Sequence, residues 1–335
     1  MSSTGRRTRL ALAVSLALLI VVAVLSLLIG ARSIAPSVVI DAFLRPDLTS
    51  ADHVVVLTQR VPRTIIGLVA GAALALAGTL MQGLTRNPLA DPGLLGINAG
   101  ASVAVLAAIT FLGITKPDGF VWFAFAGAAV AAVAVALIGS RGPDGGNPAK
   151  LALTGAAVTA GLTAVSTLIL ILSVQAFDVF RYWQVGGLTA RGLDAVVVVL
   201  VPIFVGAVLA FAGARGLDLL ALGDETAASL GHNVDRTRAL GIVATILLCG
   251  GATSIAGPIV FVGLVVPHLL RGVLGGGDYR GLLLVAAPAG AVVLLAADVL
   301  GRVLAPGEVQ AGLVVAFVGA PMLIFLVLRR GRVTL

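Results

Sequence analysis

From residue 239 to residue 270 the chain runs 32 residues without an Asp, Glu, Lys or Arg. A bilayer crossing takes about 20 apolar residues, so this run is too long for one ordinary span. Ser254-Ile255-Ala256-Gly257-Pro258 interrupts it, and Gly-Pro is a turn signal. Splitting there predicts a span over 239–256 and a short helix over 258–270. At about 1.5 Å per residue the short helix covers about 20 Å. Neighbouring helices must therefore shield its ends, because unpaired backbone groups are not tolerated in hydrocarbon.

Eight further apolar runs of span length occupy 10–30, 64–84, 94–114, 120–140, 151–174, 195–213, 281–298 and 309–328. The first is longer than the ~7–15-residue core of a secretory signal, and more spans follow it, so it reads as a retained helix. The sequence thus predicts an all-α integral membrane protein of ten transmembrane helices, a single transmembrane domain over 1–335. Only 11% of the 335 residues are charged and 59% are hydrophobic, far from the roughly 25% charged of a soluble domain. The 42 glycines suit a bundle in which small residues let helix backbones approach closely. Gly67-x-x-x-Gly71 and Gly96-x-x-x-Gly100 are read as such intrachain packing motifs.

Arg6, Arg7 and Arg9 near one end and Arg329, Arg330 and Arg332 near the other place both termini in the cytoplasm, which requires an even span count. With ten spans, 14 of the 22 basic residues face the cytoplasm and eight face outward. Topology thus accounts for the net charge of +7, and nucleic-acid binding is not expected. Three larger pieces lie outside the spans: 31–61 and 175–194 outward, and 214–238 inward.

No Walker A loop can be built on Lys116 or Lys150, since neither is followed by Ser or Thr. The single Cys249 cannot form an intrachain disulfide. His53, His232 and His268 make no metal-ligand pattern, and no nucleophile elbow occurs. No enzyme and no bound cofactor or metal are expected. The spans hold few ionisable residues: Asp298 and His268 lie near span ends and Glu308 just before one. Ion-coupled transporters place acids, bases or His within the membrane, so an ion-coupled secondary transporter is disfavoured, and if this chain is a pump its energy is expected from another subunit.

Three blocks carry more than composition: Arg60-Val61-Pro62-Arg63, Asn87-Pro88-Leu89-Ala90-Asp91-Pro92-Gly93, and Gly263-Leu264-Val265-Val266-Pro267-His268. With Leu222 to Gly231 and Gly319-Ala320-Pro321 they resemble the FecCD permeases, the iron-siderophore, haem and vitamin B12 branch of bacterial ABC importers, along essentially the whole chain. The resemblance implies a type II importer architecture like that of the vitamin B12 permease. Two permease chains, identical or related, would form the pore in the cytoplasmic (inner) membrane. Two ATPase subunits would bind ATP and Mg beneath, and an extracytoplasmic binding protein would dock outside. The implied cargo is a ferric siderophore, with haem or vitamin B12 as the alternative.

Individual residues then carry two readings each. Arg60, Arg63 and Arg302 are either interfacial anchors or, as the resemblance implies, the set that receives acidic residues of the binding protein, a task suited to a guanidinium. Asn87 and Leu89 sit in a turn whose prolines bar a regular helix. That turn is either a plain connection or, by resemblance, a cytoplasmic gate, with a companion at Asn147-Pro148-Ala149-Lys150. Residues 217–233 are either a solvated amphipathic loop or a pair of short helices seated on the ATPase, through Leu220, Leu222, Gly223, Asp224, Glu225, Ala227, Leu230 and Gly231. Thr154, Thr159, Thr163, Ser166 and Thr167 on one span either bond back to their own helix or line a passage.

Overall fold

The computed structural model describes residues 3–141, 148–189, 192–275, 278–305 and 307–330, and among them every regular element is helical. Seven helical units are long and apolar enough to cross a membrane. They are α1 (Ser3–Leu28), a unit that joins α3 (Ala51–Val55) to α4 (Val61–Thr85), α6 (Pro117–Gly139), α7 (Pro148–Leu172), α9 (Leu193–Leu220), α11 (Val234–Ala256) and α13 (Tyr279–Leu304). Three shorter apolar helices accompany them: α5 (Ile97–Leu112), α12 (Val262–Leu274) and α14 (Ala311–Arg330). Short helices α2 (Pro36–Leu44), α8 (Val174–Gln184) and α10 (Asp224–Ser229) lie between the long ones.

The α4, α11 and α13 helices form the centre, where Leu80, Leu248, Leu283 and Leu294 are buried. The surrounding α1, α7 and α9 expose Ile20, Leu172 and Phe204, apolar faces that suit lipid rather than water. Backbone contact sets the core spacing. A Cβ on Gly71 would lie 2.6 Å from the Gly290 carbonyl of α13, and Gly78 leaves no room for one against Gly263 of α12. Such contacts hold helices together where apolar burial supplies no net drive. Gly67 and Gly100 also pack within the chain, against Leu295 and Gly127. Gly96 is buried beside Thr159 and Val135 without so close an approach, and it takes φ +71° where a 3₁₀ turn (Pro92–Leu95) meets α5, so its role is also conformational.

The break in the long uncharged run falls at Gly257, with φ +74°, and a Cβ there would strike the Trp183 carbonyl. Residues 257–260 are not helical, and α12 starts at Val262 rather than at Pro258. Two other boundaries differ from the apolar runs. The α3 to α4 unit begins at Ala51, inside the piece read as an outward loop, and passes through a π-helical turn (Val56–Arg60) just before Pro62. Proline has no N–H to donate, and a wider turn takes up that gap. At the other side α9 continues to Leu220, past the expected end at residue 213. Apolarity marks the bilayer, whereas helical hydrogen bonds continue until something stops them; here Gly223, at φ +104°, follows the stop.

Candidate functional site

The functional candidates gather at the two ends of α4. At its Arg60 end, α1 finishes with no basic residue in its last turn, leaving carbonyls unpaired. Arginines from far along the chain supply the missing donors. Arg60 Nη1 donates to the Leu27 and Leu28 carbonyls at 2.7 and 2.8 Å, and Nη2 to that of Arg32 at 2.5 Å. Arg302 Nη1 donates to the carbonyls of Ser26 and Ile29 at 2.5 and 2.7 Å, and Nη2 to Ser26 Oγ at 3.0 Å. Ser26 Oγ in turn meets Thr64 Oγ1 at 2.8 Å.

Asp298, fully buried, holds the arginines together. Arg63 Nε and Nη2 reach its carboxylate at 2.9 and 2.8 Å, and Arg302 Nε at 3.0 Å. Arg63 Nη1 also donates to Glu308 Oε2 at 2.8 Å. The membrane-spanning part is therefore not free of buried charge, contrary to the apolar pattern of the runs: Asp298 and Arg302 neutralise one another within it. Arg60 and Arg302 are 4% and 5% exposed, so both act on α1 and neither is a surface anchor in this arrangement. Arg63, paired to the partly exposed Glu308, lies nearest the surface.

At the Arg86 end, α4 stops with Arg86 in a left-handed conformation, φ 51°. The turn that follows is braced by its own side chains. Asn87 Oδ1 accepts from the Leu89 N–H at 3.0 Å, and Asp91 Oδ1 from the Gly93 N–H at 2.8 Å. Asn and Asp form such local bonds readily. Asn87 and Leu89 are exposed and Ala90 is buried. Desolvation holds the Asp91 carboxyl above its usual range, against the opposing pull of the Gly93 N–H. Of the companion segment, Asn147 lies outside the described residues.

The segment expected to hold two coupling helices instead contains the end of α9 and one short helix, α10, set off by Gly223 at φ +104° and Gly231 at φ +76°. Its predicted residues divide into two groups. Leu220 and Ala227 are buried and fasten the segment to the bundle, whereas Leu222 and Leu230 stand exposed, with Glu225 beside them. Asp224 accepts from Arg238 Nη2 of α11 at 2.6 Å and lies 3.3 Å from Arg86 Nη2. On α7, Thr167 Oγ1 donates back to the Thr163 carbonyl at 2.9 Å.

Sequence reasoning named the arginines but gave no role to their partners Asp298, Glu308 and Ser26, nor to Arg86 and Arg238. The one local signal was the Asp298/Arg302 spacing, which puts the two on one helix face.

Apolar helices with outward lipid-like faces, and charge collected at the two ends of a central helix, define a multi-pass membrane protein. Comparison with known proteins narrows this to a permease. The chain belongs to the FecCD transport family, whose model matches residues 18–329. It is 47% identical over 317 residues to the ferric enterobactin transport system permease protein of Escherichia coli (strain K12), covering 95% of this chain and 94% of that one. It is 42% identical over 284 residues to an Fe(3+)-citrate import system permease protein of Bacillus subtilis (strain 168), 84% of each. The hemin transport system permease protein of Yersinia pestis is 40% identical over 279 residues, 82% of this chain and 83% of that one. Among solved structures, a metal-chelate type ABC transporter in an inward-facing conformation matches with TM-score 0.82 and 27% identity, over 95% of this chain and 98% of that one.

Proposed function

We propose that this chain is the permease subunit of an ATP-driven importer that moves a ferric siderophore across the bacterial cytoplasmic membrane. The end-to-end likeness to a ferric enterobactin permease, at 47% identity, carries this reading. The seven long helices and three shorter ones serve as ten spans, with both termini in the cytoplasm. Two such chains, identical or related, enclose the pore, and separate ATPase subunits bind ATP and Mg.

In this reading the Arg60 end faces outward and receives the binding protein. Arg63 is within reach of an incoming carboxylate, while Arg60 and Arg302 hold α1 in place around it. The Arg86 end faces the cytoplasm, where Asn87 and Leu89 belong to the gate. Exposed Leu222 and Leu230, with Glu225, meet the ATPase; Leu220 and Ala227 transmit the contact inward, and Gly223 and Gly231 let α10 pivot. Access alternates as ATP binding moves α10. Haem is the second cargo to consider, because a hemin permease is 40% identical.

The test is uptake into proteoliposomes that hold the permease with its ATPase and binding protein. ATP-dependent uptake of a ferric siderophore is the expected result. Uptake of haem or cobalamin instead would keep the machine and change the cargo. Uptake abolished by a protonophore at intact ATP would favour ion coupling. An assembled complex that moves no chelate would overturn the reading.

A further inference from the structure

Asp224 is where three separate elements meet. It is the first residue of α10, and it faces Arg238 in the first turns of α11 and Arg86 at the end of α4. The two pairs differ in quality. Arg238 makes an aligned hydrogen bond at 2.6 Å. Arg86 approaches at 3.3 Å without the alignment of a hydrogen bond, and both members of that pair are partly exposed, which makes it the weaker of the two. Arg86 directly precedes Asn87, whose side chain braces the Leu89 N–H. The six residues of α10 are bounded by Gly223 and Gly231 in conformations that L side chains rarely adopt.

We propose that Asp224 and Arg86 are positioning residues that carry the movement of α10 to the gate turn, with Arg238 as the anchor about which α10 pivots. The inference rests on the coupling and gate roles proposed above and adds the connection between them. The short helix is hinged at both glycines, tied firmly to α11 and loosely to α4. A displacement of α10 therefore changes the Arg86 contact first. Because Arg86 is both the cap of α4 and the residue before the gate turn, that change reaches Asn87 and Leu89 directly.

A merely structural Asp224 would stabilise α10 without linking hydrolysis to transport. The two roles separate when ATP hydrolysis and uptake are read together in proteoliposomes of the complete complex. Arg86→Gln, outside the ATPase-facing segment, is expected to assemble with the ATPase and to hydrolyse ATP at near the native rate, and uptake by Asp224→Asn is normalised to its own hydrolysis. The chelate moved per ATP should fall about tenfold in each, within the usual range of coupling between sites. The double variant should be no worse than either single one, since members of one connection are not additive, and Arg86→Lys should recover most of the coupling. Native stoichiometry in both single variants, or hydrolysis lost in step with uptake, would overturn the proposal. Leu222→Asp/Leu230→Asp tests the underlying reading: if it still assembles and transports, the coupling role fails and this connection with it. If it is dead while Asp224→Asn is normal, only the connection fails.

Discussion

The two ends of α4 both carry ion pairs, and they are built differently. At the Arg60 end, three arginines meet Asp298, Glu308 and the carbonyls that finish α1, and Asp298 and Arg302 are buried. At the Arg86 end a single carboxylate, Asp224, serves two arginines, one in an aligned hydrogen bond and one without that alignment, with the side chains partly exposed. Desolvated, mutually satisfied charges resist change because any partner left alone is stranded without water. Exposed pairs exchange with solvent at little cost. The first network holds α1, α4 and α13 together, and the second is the joint that the proposal above sets in motion.

The sharpest way to break this contrast is to remove the buried carboxylate. Asp298→Ala strands Arg302 and half of Arg63, and is expected to cost about 3–5 kcal/mol. Thermal unfolding in detergent and the amount of protein reaching the membrane would report it; native values would refute the fixed-end account. A smaller effect is expected one bond further out. Glu308→Ala leaves Arg63 on Asp298 and should cost about 1 kcal/mol, while freeing Arg63 Nη1 and so tightening docking of the binding protein. Unchanged or weaker docking by that variant would remove Arg63 from the receiving set.

At the other end Asp224→Asn should lower stability by less than about 1 kcal/mol, although its effect on transport is large. Destabilisation as severe as that of Asp298→Ala would erase the distinction between the ends. The smallest effect belongs to Asp91. Its carboxyl is raised by desolvation above the ordinary value of 3.8, so the folded chain binds the proton more tightly than the unfolded one. That contribution is complete at low pH and is lost as pH climbs past 3.8 and through the raised value. Asp91→Asn retains an acceptor for the Gly93 N–H and should flatten this decline in unfolding temperature between pH 4 and pH 8 without altering uptake.

Much of this was legible in the sequence, and the rest fails for physical reasons. The apolar runs find the membrane helices, and Gly257-Pro258 locates the break in the longest of them, because lipid and turn chemistry act on local sequence. Helix ends beyond the apolar zone are not local in the same way. The α3 to α4 unit starts early at Ala51 and α9 ends late at Leu220, since polar residues such as Arg215 and Asp218 sit as well in a helix as in a loop. The arginines stand out as a set through their resemblance to a family pattern, but Arg63 and Asp298 are 235 positions apart. Nothing in a linear reading pairs them, nor Asp224 with Arg86. Their burial, and hence the difference between a desolvated network and a partly exposed one, becomes visible only in three dimensions.

That difference can be measured directly with two pairs of spin labels in the complete complex, compared with and without bound ATP. One pair, at Leu25 and Leu304, both exposed, spans α1 and α13 at the Arg60 end. The other, at exposed Leu89 and Leu269, reports the turn proposed above as the gate against α12. The account predicts that ATP shifts the Leu89–Leu269 distance and leaves the Leu25–Leu304 distance unchanged. A shift at the Arg60 end with a static gate turn would contradict it.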